Sequence, residues 1–260
     1  MADFDELVAE AMAAPFPGWD FSWLDRRWRS DALPWDYGAR VAALASGART
    51  MLDMGTGGGE ALSRLPVRAN RTVATEAWPP NVPVAGRRLL PVGIPVIQDE
   101  GARDNMDQDG VGDGGRLAFR DGSLDLICNR HESFLAAEVC RVLAPGGTFV
   151  TQQVDYHDND DLAQMLGIEM PEEPDSWLGL AERQVTDAGL VIEEAARADE
   201  RVYFDDIAAV VYYLKAVSWS IPGYSLDTHR DRLRVLHENV SAWPIMARGH
   251  RFLLVAYKPG

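Results

Sequence analysis

Leu52-Asp53-Met54-Gly55-Thr56-Gly57-Gly58-Gly59-Glu60 joins an apolar run to a helix-forming one through the alternating glycines 55, 57 and 59. Glycines so placed permit a tight strand-to-helix turn and let a ligand lie against the backbone. Dinucleotide sites space theirs as GxGxxG and offer a helix N-terminus to a pyrophosphate. Here the spacing is GxGxG, and Asp53 stands two residues before the first glycine. A carboxylate there repels a pyrophosphate and suits a cationic ligand with an ammonium and a sulfonium. A second acid, Glu76, closes the next apolar run, 23 residues after Asp53 (76 − 53). An acid at the end of that strand can accept both hydroxyls of a ribose. Plainer readings stand beside these: a simple turn for the glycines, a cap for Asp53, a solvated strand end for Glu76.

The elements that must position these groups alternate from Arg49 onward. Short apolar runs at 50–54, 71–76, 95–98, 124–129 and 147–152 read as buried parallel strands, and 190–198 and 252–258 add two more. Helical stretches fall at 59–65, 80–90 and 133–143. This alternation predicts an α/β fold with a Rossmann-like doubly wound sheet. The segment 1–47 reads as an N-terminal helical lid, with helices at 3–14 and 35–46 around an aromatic stretch containing Trp19, Phe21, Trp23, Trp28, Trp35 and Tyr37. Residues 48–260 form the main domain. Helices are expected at 160–167 and 176–188, and a helical insertion around 200–245 carries others at 204–218 and 228–241. The Gly- and Asp-rich stretch 101–115 reads as a long surface loop.

Taken together, these motifs resemble the class I S-adenosylmethionine-dependent methyltransferase family over roughly residues 49–153. They comprise the glycine turn Asp53–Gly59, Glu76, the stretch Phe119-Arg-Asp-Gly-Ser-Leu-Asp-Leu-Ile-Cys-Asn-Arg-His-Glu132, and Arg141-Val-Leu-Ala-Pro-Gly-Gly-Thr-Phe149. The resemblance implies a seven-stranded sheet whose last strand is antiparallel, here 252–258. It also implies S-adenosylmethionine as cofactor, leaving as S-adenosylhomocysteine. The residues it assigns to the cofactor are Asp53, Gly55, Thr56, Gly57, Glu76, Ala77 and Asn129. An acid or amide after the third strand meets the adenine in this family; Gln98, Asp99, Glu100 and Asp113 compete, and Asp99 is the choice made here. Trp35 and Tyr37 are read as folding over the cofactor, or else as part of a hydrophobic cap. Tyr212, Tyr213, Trp219 and Trp243 are read as an acceptor wall, or as core.

In the family the fourth strand ends beside the transferred methyl group, which places His131 and Glu132 at the acceptor pocket as catalytic candidates. His131 is the candidate general base because an imidazole titrates near neutrality; a capping or packing histidine is the plainer reading. Glu132 would orient a partner or pair with an arginine. Gln152 and Gln153 end the fifth strand on the same side. His157, in an acidic run, reads as solvated.

Bulk properties narrow the acceptor. The net charge of −15 opposes binding to nucleic acid, where cations must replace phosphate counterions. The cations are nearly all Arg, with Lys215 and Lys258 the two lysines. A small-molecule acceptor is therefore expected, with no nucleic-acid partner. Alternatives are an RNA or protein methyltransferase, a non-catalytic S-adenosylmethionine-binding module, and a dinucleotide-dependent oxidoreductase. No apolar run reaches the ~18 residues of a membrane span, and Met1–Pro15 lacks the basic start of a signal peptide. Cys128 and Cys140 sit in apolar surroundings, which fits a reducing cytoplasm. No Cys/His spacing suggests a metal.

Overall fold

The computed structural model describes residues 3–99, 102, 116–171, 176–240 and 244–260. Glu100, Asp113, Trp243 and most of the expected loop 101–115 lie outside the described residues. The helices are α1 (Phe4–Ala13), α2 (Tyr37–Ala45), α3 (Glu60–Arg64), α4 (Val82–Leu89), α5 (Ala136–Val142), α6 (Asp160–Leu166), α7 (Trp177–Asp187), α8 (Ile207–Ala216) and α9 (Arg230–Val240). The strands are β1 (Trp28–Ser30), β2 (Thr50–Met54), β3 (Arg71–Glu76), β4 (Val96–Gln98), β5 (Leu124–Arg130), β6 (Leu143–Val154), β7 (Val191–Phe204) and β8 (Ile245–Tyr257).

The sheet order is β1-β7-β8-β6-β5-β2-β3-β4. Strands β4, β3, β2, β5 and β6 run parallel, and β8 pairs antiparallel with β6. This is the expected Rossmann-like arrangement with its antiparallel last strand. Among the described residues the sheet has eight strands rather than seven. The extra one, β1, lies in the stretch expected to be helical, and pairs antiparallel with the end of β7, Trp28 opposite Phe204. Three residues carry no readable alternation; they are extended because β7 continues six residues past its expected end at Ala198 and offers an edge. Strand β6 also begins earlier than expected. Leu143 pairs with Leu124, and the register then shifts so that Leu126 faces Thr148, with Gly146 at φ +76° in the irregularity.

The chain forms two compact units. One comprises Met1–Leu33, Tyr156–Pro174 and Ala198–His250; the other comprises Pro34–Asp155, Asp175–Arg197 and Arg251–Gly260. The stretch 1–47 is thus shared between them. In the first unit α8 is apolar nearly all round, and eight of its ten residues are buried. Lys215 of α8 donates to the carbonyls of Ala11, Met12 and Ala14, closing the C-terminal end of α1. Tyr212 donates to the Pro15 carbonyl and stacks on Trp23, and Tyr213 donates to Asn159. Those two tyrosines serve the unit's own core, whereas Trp219 is exposed.

The second unit holds the glycine turn. Its strands are short and apolar because helices cover both faces of a parallel sheet. Leu52, Ile127 and Phe149 pack toward α5 and α7, while Met51, Leu126 and Val150 pack toward α2 and α4. Asp125 accepts from the backbone N–H groups of Arg49 and Thr50, which locks the start of β2 to β5. That register sets Asp53 opposite Cys128, Met54 opposite Asn129, and Asn129 opposite Thr151.

Candidate functional site

Because the strands are parallel and in this register, Asp53, Glu76, Asn129 and Gln152 all fall at their C-terminal ends. That is where a doubly wound sheet opens its ligand crevice. The turn after β2 needs its glycines. Gly55 has φ +72° and Gly59 φ +80°, a region costly for side-chain-bearing residues. A Cβ on Gly59 would stand 2.8 Å from Leu89 Cγ. Arg88 of α4 holds the turn from outside, donating to the Gly58 carbonyl and pairing with Glu60.

Glu76 is 2% exposed, yet its carboxylate is well supplied with donors. Gly57 N–H donates to Oε2 at 2.6 Å, Trp78 N–H donates to Oε1 at 2.8 Å, and the Asn81 side chain contributes a further bond. These bonds pull the acid's pKa down, but burial outweighs them and leaves it above the ordinary glutamate value. Asp53 is pushed up to about 6 by burial, against hydrogen bonds from Thr56 and Cys128. The buried Cys128 thiol, raised well above its usual value, stays protonated and donates to the Leu52 carbonyl at 3.3 Å and to Asp53 at 3.5 Å.

Asn129 is fully buried. Its Oδ1 accepts from Thr151 Oγ1 at 2.9 Å and Gln153 Nε2 at 2.6 Å, while its Nδ2 has no protein partner. Tyr37 donates its hydroxyl to the Asn129 carbonyl at 2.9 Å, and Trp35 donates Nε1 to Gln152 at 2.9 Å. Both rings also pack on the core beside α2. They reach the strand ends, but their polar atoms are used by the protein.

His131 and Glu132 follow β5 directly. His131 has φ +61° and an exposed side chain, and its N–H donates to the Gln152 carbonyl at 3.0 Å. Desolvation, with the guanidiniums of Arg130 and Arg251, holds the imidazole well below its ordinary value; solvent at the exposed part of the ring blunts that shift. Glu132 lies over the glycine turn. Burial, with the neighbouring Glu76, pushes it up to about 7. Asp99 sits one residue past β4, taking a bond from Ala118 N–H at 3.2 Å and donating its own N–H to the Glu76 carbonyl. Ala77 is half-buried beside Glu76.

The structure therefore brings Asp53, Gly55, Gly57, Glu76, Asn129 and Glu132 together. Residues 52–151 match the family described as a methyltransferase domain. That match supports the resemblance to the class I S-adenosylmethionine-dependent methyltransferases over this stretch. Three solved structures resemble this chain in fold. One is a candidate methyltransferase of Bacillus halodurans C-125, 17% identical at TM-score 0.56, covering 86% of this chain and 99% of that one. The YcgJ protein of Bacillus subtilis is 17% identical at TM-score 0.54, covering 86% and 98%. A functionally unknown protein of Deinococcus radiodurans R1 is 15% identical at TM-score 0.50, covering 88% and 90%. At these identities the likeness is one of fold. Among curated proteins, none matches by sequence.

Sequence reasoning missed three contributors to the candidate site. Asn81, buried and bonded to Glu76, carries a readable signal: it stands at the N-cap of α4 with proline just inside. Thr151 and Arg88 had none, because each acts through a long-range contact. A separate concavity of about 330 Å³ is lined by Gly47, Arg49, Asp125, Pro145 and Gly147. It lies at the N-terminal ends of β2 and β5, away from the acids and the glycine turn. Among the described residues, no helix is long and apolar enough to cross a membrane.

Proposed function

We propose that this methyltransferase binds S-adenosylmethionine on the turn after β2 and passes its methyl group to a small-molecule acceptor. The observation that carries the reading is the buried amide of Asn129, whose Nδ2 lacks a partner beside a glycine turn flanked by two acids. An orphaned buried donor is costly to leave unmade, and a ligand acceptor would relieve it. The donor set fits the cofactor. The Glu76 carboxylate takes bonds from Gly57, Trp78 and Asn81, and of its roughly four acceptor sites keeps one for a ribose hydroxyl. Asp53 supplies the anion for an ammonium, and Gly55 and Gly57 carry no side chain of their own to stand in a ligand's way. Thr56, Ala77 and Asp99 are assigned to the nucleoside side of the same ligand. Trp35 and Tyr37 are assigned to its rim.

When bound, the cofactor supplies an electrophilic methyl on a sulfonium. The protein's part is to align an acceptor with that carbon and, where the acceptor is an acid, to take its proton. His131 is assigned the proton-accepting role. Its lowered pKa keeps the imidazole neutral at pH 7, the form a base requires. The charge of −15 supports a small acceptor over a nucleic acid, and we place the protein in the cytoplasm.

Calorimetry with S-adenosylmethionine, S-adenosylhomocysteine and NAD tests the cofactor assignment. We expect the first two to bind and NAD not to; the reverse pattern would overturn it. A gel-shift experiment with RNA and duplex DNA should show no binding, and a steeply salt-dependent shift would replace the small-molecule acceptor with a nucleic acid.

A further inference from the structure

Glu132 occupies a position that neither the glycine motif nor the ribose acid explains. Its Cβ and Cγ lie 2.3 Å, and its Oε2 2.7 Å, from the point where a side chain on Gly55 would begin. The carboxylate therefore rests directly on the backbone a ligand would approach. Its main chain is pinned, since the Glu132 carbonyl accepts from Gln153 Nε2 at 2.9 Å, whereas its carboxylate is bonded by the N–H of the adjoining Ser133, which moves with it. Glu76 at the end of β3 faces it with like charge, and Asp53 at the end of β2 adds to the charge on Glu76. On its own strand Arg130 acts on Asp53 through space, and His131 is held neutral. Among the described residues, no cation forms an ion pair with any of these three acids. The partnerless Asn129 Nδ2 lies in the neighbouring strand position, opposite Met54.

We propose that Glu132 leaves its place on Gly55 to pair with the sulfonium of the methyl donor, so that this site discriminates the charged donor from the neutral thioether product. The inference rests on the cofactor reading above and deepens it. A ligand against Gly55 and the carboxylate now covering it exclude one another, so Cγ and the carboxylate turn about the Cα–Cβ bond while the backbone and Cβ stay. The cation it then meets is the ligand's own. With a pKa of about 7, Glu132 is partly protonated at neutral pH. Pairing with a sulfonium returns it to the carboxylate, and the proton goes to buffer. S-Adenosylhomocysteine differs from the donor only in lacking the transferred methyl and, with it, that charge. Asp53 serves a part common to both ligands, so its titration affects the two alike.

Calorimetry on the full chain with both ligands, at pH 6 and pH 7.5, tests this. For a group titrating near 7, linkage makes the wild-type ratio of Kd for S-adenosylhomocysteine to Kd for S-adenosylmethionine rise about eightfold over that range. Titrations in buffers of different ionisation enthalpy should show more protons released with the donor than with the product. Glu132→Gln should bind both ligands with a ratio that no longer changes with pH. If both ligands bind the wild type with the same pH dependence, or Glu132→Gln keeps the wild-type dependence, the role of Glu132 is refuted while the cofactor reading stands. If neither ligand binds, both fall. Should Glu132→Gln fail to fold, the wild-type ratio and proton count decide alone.

Discussion

Replacing Glu132 by Gln should stabilise the protein above neutral pH. A carboxyl whose pKa is raised on folding binds its proton more tightly in the native state than in the unfolded chain. The native state is then favoured at low pH and loses that advantage as pH rises from the ordinary value to the raised one. For Glu132 the window runs from 4.5 to about 7. The difference is about 2.5 units, and at about 1.4 kcal/mol per unit the ionised side chain costs at most about 3 kcal/mol at pH 8. Part of the side chain reaches solvent and can turn away from Gly55, so the expected cost is about 1–2 kcal/mol. Glutamine keeps the shape of the protonated acid and cannot ionise. Melting should therefore be nearly the same for wild type and Glu132→Gln at pH 5, and about 2–8 °C higher for the variant at pH 8. Asp53, raised to about 6, tilts both profiles equally and cancels in the difference. A variant-minus-wild-type difference that stays flat from pH 5 to pH 8 would refute the reasoning.

Gly55→Ala places a methyl 2.3 Å from Glu132 carbons at φ +72°, so a loss of roughly 1–3 kcal/mol in stability and more than tenfold in S-adenosylhomocysteine affinity is expected; unchanged calorimetry would show that the turn is not the cradle. Glu76→Ala strips the Gly57 and Trp78 N–H groups of their acceptor, and should lower the melting temperature by about 4–12 °C as well as weaken cofactor binding, for about 1–3 kcal/mol per orphaned donor. A variant that binds normally would remove Glu76 from the ribose. His131→Ala, at an exposed left-handed position, should melt within a few degrees of wild type yet lose roughly 10²–10⁴ in turnover if the imidazole takes the acceptor's proton; an undiminished rate would assign His131 to the turn alone.

Several features were legible in the chain because their causes are local. The glycine turn can be read from Asp53 to Gly59: alternating glycines after an apolar run have one economical geometry, and φ at 55, 57 and 59 is positive as that requires. The five parallel strands could be read from short apolar runs, since a sheet covered on both faces admits few polar residues. Glu76 was legible as a strand-end acid, and Asn129 as the residue closing β5.

The tertiary structure decided what depends on register and distant partners. Nothing in Trp28-Arg29-Ser30 specifies a strand; the free edge of β7 makes it one. Burial raises the pKa of Glu76, and the donors that oppose it come from the turn after β2, from its own following residues and from the start of α4, so its tuning is a property of the assembled site. Glu132 and Gly55 are 77 residues apart (132 − 55), and their contact exists because β2 and β5 pair with Met54 opposite Asn129. A one-residue slip would turn every side chain of β5 to the other face. The sequence by itself therefore determines which residue types stand at the strand ends, because turn chemistry and hydrophobic runs are local. Which of those residues touch, and how their charges are tuned, is decided by strand register and burial, which come into being only when the sheet closes its ladder.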